Sequence, residues 1–313
     1  ATIGRFAIPE MIKRHYSPAL AGGSVAAAGA LALLIPPSIG LIIYGEIANQ
    51  SIGRLFMAAV LPGVLVTLCM MAYIGVVAIL KPEAAPREQG RIAWSARLKA
   101  LKDVWAAIFL VLLVLGSIYF GVATPTEAAG VGAAGAFIVA AAYRQLTLKL
   151  TIEIFRSTVV TSGMILLILA AALLFGWIVT RLMIPQQLVM WISTLPYADW
   201  TILLFVVLFL GVVGMFLDIV SIILITTPIV LPIVVALDLS PIWFGVIMII
   251  TCEMAVITPP IGLNLYVIKG IAPELTLNDI IRGALPFVAV EALAIVILTI
   301  FPEIALWLPS VMN

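Results

Sequence analysis

The chain has 313 residues, of which 64% are hydrophobic and only 10% charged, and its formal net charge is +1. It has neither the polar surface of a soluble domain nor a basic face for nucleic acid, so a lipid bilayer is the implied solvent and nucleic acid is excluded as a partner. Cys69 and Cys252 lie in apolar runs without a pairing pattern, and there is no HExxH motif, phosphate-binding glycine loop or nucleophile elbow; nothing recommends an enzyme or a cofactor.

In chain order, apolar runs long enough to cross a bilayer fall at 20–45, 55–80, 104–122, 125–143, 158–180, 242–268 and 284–309. Basic residues collect in the loop 9–18 (Lys13, Arg14), in the polar stretch 81–103, at 144–156 and at 269–283, whereas 184–199 and 233–241 carry no Lys or Arg. Placing the basic loops in the cytoplasm sets the crossings, and the C-terminus then falls outside. The stretch 200–232 is too long for one crossing and has no basic flank, which predicts a re-entrant hairpin entering from outside and turning near 214–218. Arg54, Arg181 and Glu291 are expected at membrane edges. Glu127 should favour a helix N-terminus, and AAGVGAAGA (128–136) should support close helix packing.

Two distant segments share a proline grid. One offset (232 − 9 = 223) carries Pro9 to Pro232, Ser17 to Ser240, Pro18 to Pro241, and Pro36-Pro37 to Pro259-Pro260. The correspondence resumes with Ile39-Gly40-Leu41 against Ile261-Gly262-Leu263, and Leu61-Pro62 against Leu285-Pro286. Since the loops 9–18 and 232–241 fall on opposite sides, the expectation is an all-α polytopic membrane protein with inverted repeats. Each repeat is expected to have a re-entrant hairpin and a broken transmembrane helix. The expected division is 1–63, second arm of the inner hairpin plus broken helix; 64–103, return helix and basic loop; 104–198, scaffold helices of the second repeat; 199–287, outer hairpin plus broken helix; and 288–313, the C-terminal helix. The offset maps the turn at 214–218 to positions before Ala1. The chain is therefore expected to begin inside the first hairpin and not to suffice for transport alone.

Prolines that break apolar helices at matching places point to a solute site. Asp218, at an apolar turn, is either a cation ligand or a helix cap, with Ser221, Thr226 and Thr227 as further hydroxyls. Pro259 and Pro260 remove two amide donors, so the carbonyls of Ile257, Thr258 and Pro259 are candidate sodium ligands, with Pro36 in the symmetric break. Asn264, Gly262 and Ser38 are the candidate solute contacts. Glu253 either tunes the second break or is a hydrogen-bonded structural carboxylate. Isolated polar breaks replace the continuous polar lining a channel needs, and a purely structural subunit would not require two such units.

The segments IPEM (8–11), LIPPSIGLIIYG (34–45), SIGRLF (51–56), TPTEAAGVG (124–132), GMFLD (214–218), TPIVLPI (227–233) and ITPPIGLNLYVI (257–268) resemble, in order and spacing, the large membrane subunit of tripartite ATP-independent periplasmic (TRAP) transporters. The resemblance covers essentially the whole chain. It implies a sodium-driven importer of an organic acid (a C4-dicarboxylate, sialic acid or related carboxylate) in the bacterial inner membrane, with Na+ as coupling ion and the architecture and motion of the elevator-type ion transporter superfamily. It implies as partners a small four-helix membrane subunit and a periplasmic binding protein. A sodium/dicarboxylate symporter of the same superfamily, working without a binding protein, is the alternative.

Overall fold

The computed structural model describes residues 2–86, 94, 104–194 and 196–311. Most of the basic stretch 81–103, including Arg87, Arg91, Arg97, Lys99 and Lys102, lies outside the described residues. The described chain is helical and divides into two compact units, Ala1–Glu88 with Ala172–Asn313, and Gln89–Ala171.

The first unit opens with α1 (Thr2–Lys13) and α2 (Pro18–Leu31). Ser17 caps α2 by accepting from the Leu20 amide at 3.2 Å, and Pro18 occupies the first turn, where its missing N–H costs nothing. Residues 32–38 then leave the helix, and the chain resumes as α3 (Ile39–Ile47) and α4 (Ile52–Leu80). In the second unit α5 (Trp105–Tyr119) packs on α6 (Pro125–Ala142), and a methyl on Gly132 would lie 2.6 Å from Val114 Cγ2. The small-residue stretch serves close packing there, as expected. Thr124 and Glu127 close a reciprocal capping box on α6.

Helix α7 (Leu148–Arg181) absorbs most of the loop expected at 144–156, so Lys149 and Arg156 are helical. Its 34 residues give a length of about 51 Å, well beyond the roughly 30 Å of hydrocarbon, so a polar first turn need not lie in lipid. The stretch 184–199 was also expected as a loop, but it contains α8 (Ile184–Ser193), started by Pro185 and packed on a later helix.

The rest of the first unit comprises α9 (Asp199–Gly214), α10 (Ile219–Ala236), α11 (Pro241–Val256), α12 (Leu263–Ile271), α13 (Leu277–Ile300) and α14 (Glu303–Ser310). The run 284–309, read as one crossing, breaks at Phe301-Pro302, where the ring interrupts the ladder. Lys269 and Arg282, assigned to a loop, belong to α12 and α13. Five helices among the described residues, α4, α6, α7, α10 and α13, are long and apolar enough to cross a bilayer.

Element boundaries recur along the first unit. Helix α1 ends at Lys13, His15 is left-handed (φ 63°), and Ser17 caps α2. Helix α10 ends at Ala236, Asp238 is left-handed (φ 55°), and Ser240 caps α11. Each of these is displaced by 223 residues. After the breaks, α3 and α12 are both nine residues long, and α4 and α13 start from the side-chain caps Ser51 and Thr276. Long-range ties hold the unit together: Tyr44 Oη donates to Pro241 O (2.7 Å) and Trp243 Nε1 to Leu298 O (2.8 Å).

Candidate functional site

The turn between α9 and α10 is seated on the end of the second broken helix. A methyl on Gly214 would lie 2.5 Å from Ala255 Cβ, so only glycine admits this approach. The turn 215–218 is thereby brought to the point where α11 stops, at Val256.

Asp218 caps α10. Its carboxylate accepts from the Ser221 amide at 3.2 Å and from the Ser221 hydroxyl. The capping role is thus real, and the carboxylate stays exposed, leaving acceptor capacity for a cation. Thr226 returns its hydroxyl to Ile222 O (2.7 Å), and Thr227 meets Met248 Sδ (3.5 Å), so both are spent within the packing.

In the second break the Thr258 amide donates to Ala255 O (3.1 Å), and the Thr258 hydroxyl turns back to Met254 O (2.6 Å). Pro259 and Pro260 supply no amide, and the bond between them is cis. Gly262 precedes α12 in the left-handed region (φ 56°), where a methyl would lie 2.7 Å from Leu265 Cδ1 and 3.1 Å from Thr258 O. It offers the first turn of α12 no side-chain cap. Ile257 is fully buried and Thr258 and Pro259 half-buried. The segment therefore joins a missing pair of donors and an uncapped helix start, after the helix end on which Gly214 is seated. Such a site can take a hard cation on oxygens or an anion on amides.

The first break is closed on itself. The Pro36-Pro37 bond is also cis, and Pro36 is buried. Ser38, 1% exposed, donates to Leu33 O and accepts from the Leu41 amide (3.3 Å), clipping both helix ends with one hydroxyl. Ser38 is thus placed in local bonds. The pairing of Gly40 with Gly262 also fails in three dimensions, since Gly40 lies inside α3 whereas Gly262 precedes α12. The extra residue sits in the second break, because Ser38 alone caps α3 while Ile261 and Gly262 are both needed before α12.

Asn264 reaches the first half of the unit, where Nδ2 donates to Ala26 O of α2 at 3.4 Å. It lines a cavity of 560 Å³ with Gly4, Ser24, Gly29, Ile74 and Val267. Of the three expected solute contacts, Asn264 alone faces this space; Ser38 and Gly262 are not among its lining residues.

Two carboxylates are fully buried in the first unit. Glu291 was placed at a membrane edge but is fully buried, held by the helices packed on α13. Glu253 is expected either to tune the second break or to be a hydrogen-bonded structural carboxylate. It is fully buried, yet neither of its oxygens has a hydrogen-bond partner among the described residues. Arg181 does sit outward, stacked 5.6 Å over the Trp177 ring, and Arg54 is exposed.

The profile of the family described as "Tripartite ATP-independent periplasmic transporter, DctM component" matches residues 1–304. The chain is 38% identical over 312 residues to the C4-dicarboxylate TRAP transporter large permease protein DctM of Pseudomonas aeruginosa, covering 99% of this chain and 72% of that protein. It is 33% identical over 316 residues to the sialic acid TRAP transporter large permease protein SiaM of Vibrio cholerae, covering 98% and 71%. With the isethionate TRAP transporter permease protein DctMQ of Oleidesulfovibrio alaskensis it shares 32% over 317 residues, which is 98% of this chain and 48% of that protein. The chain belongs to the DctM family of TRAP transporter large permease subunits and is a multi-pass membrane protein, not an enzyme.

Proposed function

We propose that this DctM-family chain imports an organic acid across the bacterial inner membrane, driven by sodium, as one component of a three-part system. The observation that carries the reading is the seating of Gly214 on Ala255. It supports a sodium site bordered by Asp218 and Ser221 from one side and by the carbonyls of Ile257, Thr258 and Pro259 from the other. An oxygen-rich break beside an exposed carboxylate suits a hard cation. Asn264 and the 560 Å³ cavity form the neighbouring solute space, where the amide and Ser24 can meet a carboxylate. Relatives named for C4-dicarboxylate, sialic acid and isethionate support an organic acid as cargo.

The recurrence of element boundaries supports two repeats, and the sidedness of the basic loops supports their being inverted, with the C-terminus periplasmic. In this reading the turn at 215–218 and the two broken helices move together as the carrying element of an elevator. The DctMQ relative is about twice the length this chain covers, which supports a second membrane component, the small four-helix subunit. A periplasmic binding protein delivers the solute.

The test is uptake by the assembled transporter in proteoliposomes. Asp218→Asn keeps the volume and a capping oxygen, so folding should hold within about 0.5 kcal/mol. The sodium dependence of uptake should weaken about tenfold or more, the charge-assisted contact being worth roughly 1.5–3 kcal/mol. Unaltered sodium activation in the variant would leave Asp218 as a cap alone. Uptake that needs no binding protein would favour the symporter alternative.

A further inference from the structure

The interior of the first unit holds two carboxylates that the proposed sodium site does not use. Trp243 Nε1 ties α11 to Leu298 O of α13 at 2.8 Å. Ten residues further along α11, and seven back along α13, Glu253 and Glu291 lie close enough for the charge of Glu291 to act on Glu253. Both side chains are 0% exposed. All four of their oxygens lack a hydrogen-bond donor among the described residues. The helical neighbours of Glu253 are Ile249, Ile250, Val256 and Ile257, and those of Glu291 are Phe287, Val288, Ala294 and Ile295, all apolar and, except the half-buried Val288, all buried.

Buried charges are paired or neutralised, and two neighbouring buried carboxylates with no donor among the described residues cannot both stand as bare anions. Among the described residues no basic side chain pairs with either carboxylate. Cys252, beside Glu253, brings a thiol and no positive charge. The charged groups on the other helices packed around the pair sit at helix ends: Glu46 on α3, Arg54 on α4, Asp199 on α9, Lys269 on α12 and Glu303 on α14. On α13 itself, Asp279 and Arg282 belong to its first turns, and the Lys269 ammonium is spent on Pro273 O (2.9 Å) and Leu275 O (2.7 Å). The amide of Leu34, from the first break, acts on Glu253, but its bond goes to Leu31 O at 3.2 Å. The pair therefore lies between the second broken helix and the break of the first.

We propose that Glu253 and Glu291 form a buried site for one exchangeable monovalent cation, a proton or a sodium ion, distinct from the site at the turn 215–218. Its position beside Leu34 ties occupancy to the first break, which otherwise closes on Ser38. The shared chemistry is neutralisation of a carboxylate pair by one positive charge.

The experiment uses the assembled transporter in lipid nanodiscs and reads ion occupancy, not uptake, so its failure is distinguishable from failure of the transport reading. Infrared difference spectra of the carboxyl stretch are taken from mildly acid to mildly alkaline pH, in sodium and in choline chloride. Equilibrium binding of radiosodium is measured alongside. Glu253→Gln, Glu291→Gln and the double variant keep the side-chain volume, and the wild-type spectra test the proposal without any variant. A protonated-carboxyl band that changes with pH, ignores sodium and is lost in the double variant means that the site holds a proton. One sodium fewer bound per chain in each single variant, with the wild-type band suppressed by sodium, means that it holds sodium. A wild-type sodium count in all variants, together with either a band that neither pH nor sodium alters or no band at all, overturns the proposal.

Discussion

The two broken helices of the first unit begin on the same punctuation and then diverge. Helix α2 reads PALAGGSVAAAGAL and α11 reads PIWFGVIMIITCEMAV. Both start at a serine cap followed by proline, and both stop before a Pro-Pro pair. Their volumes differ, so their neighbours approach differently. Where α2 crosses α13, backbone meets backbone: a methyl on Gly283 would lie 1.8 Å from Ala19 O, and one on Gly23 2.1 Å from the Gly283 carbonyl carbon. On α11 the single glycine, Gly245, which answers Gly22 on the 223-residue grid, would set its methyl 2.5 Å from the ring of Tyr44 instead. The proline grid thus sets where a helix starts and breaks, and side-chain volume sets how closely another helix can pass.

The largest expected effect breaks that comparison at its closest point. Gly283→Ala sets a methyl against backbone that has no rotamer to yield, and should cost about 3 kcal/mol or more. Gly245→Ala meets side chains only, the Tyr44 ring and Leu55 Cδ2 at 3.0 Å, and should cost about 1–2 kcal/mol. Thermal unfolding of the assembled transporter in detergent should rank them in that order. Equal losses would mean that the α2–α13 crossing can slide, and the contrast between the helices would not hold.

The breaks themselves differ next. Gly262→Ala forces a side chain into the left-handed region and against Leu265 and Thr258 O, for about 2 kcal/mol or more. Ser38→Ala removes a cap and strands Leu33 O and the Leu41 amide, for about 1–2 kcal/mol. The sharper contrast is in function. If the second break carries the ion and the first is closed by its own serine, Gly262→Ala should shift the sodium concentration for half-maximal uptake, whereas Ser38→Ala should mainly lower thermal stability. A sodium shift as large in Ser38→Ala would make the two breaks functionally alike.

Much of this was legible because proline acts locally. A Pro-Pro pair removes two donors wherever it stands, so the breaks at 36–37 and 259–260 could be placed from residue type alone, and the turn before Asp218 from the excess length of 200–232. The register beyond each break could not. Matching letters aligned Gly40 with Gly262, but one residue is a helical interior position and the other a left-handed lead-in, a difference made by the Ser38 side chain. Burial of Glu291 was invisible for a different reason. Its neighbours on α13 are apolar whether they face lipid or protein, so periodicity cannot tell a lipid-facing row from a helix-facing one. The short helix α8 was missed because a stretch free of basic residues was taken as a loop, although Pro185 marks a helix start there.

The smallest effect tests where the halves should agree. His15 and Asp238 follow α1 and α10 at equivalent positions, both left-handed and both exposed. A non-glycine residue there carries a steric cost of about 1–2 kcal/mol, which glycine removes while adding roughly 0.5–1 kcal/mol of chain entropy to be lost on folding. His15→Gly should therefore raise stability by a few tenths to about 1 kcal/mol. Asp238→Gly should raise it by less, since a short polar side chain tolerates this conformation through local hydrogen bonds. Both shifts should leave sodium activation unchanged, because neither residue lies in a break. The pair is informative through its sign. Stabilisation at both positions means that the two halves share backbone geometry and differ in side chains, whereas opposite signs would mean that the boundaries coincide in number while the turns are held by different contacts.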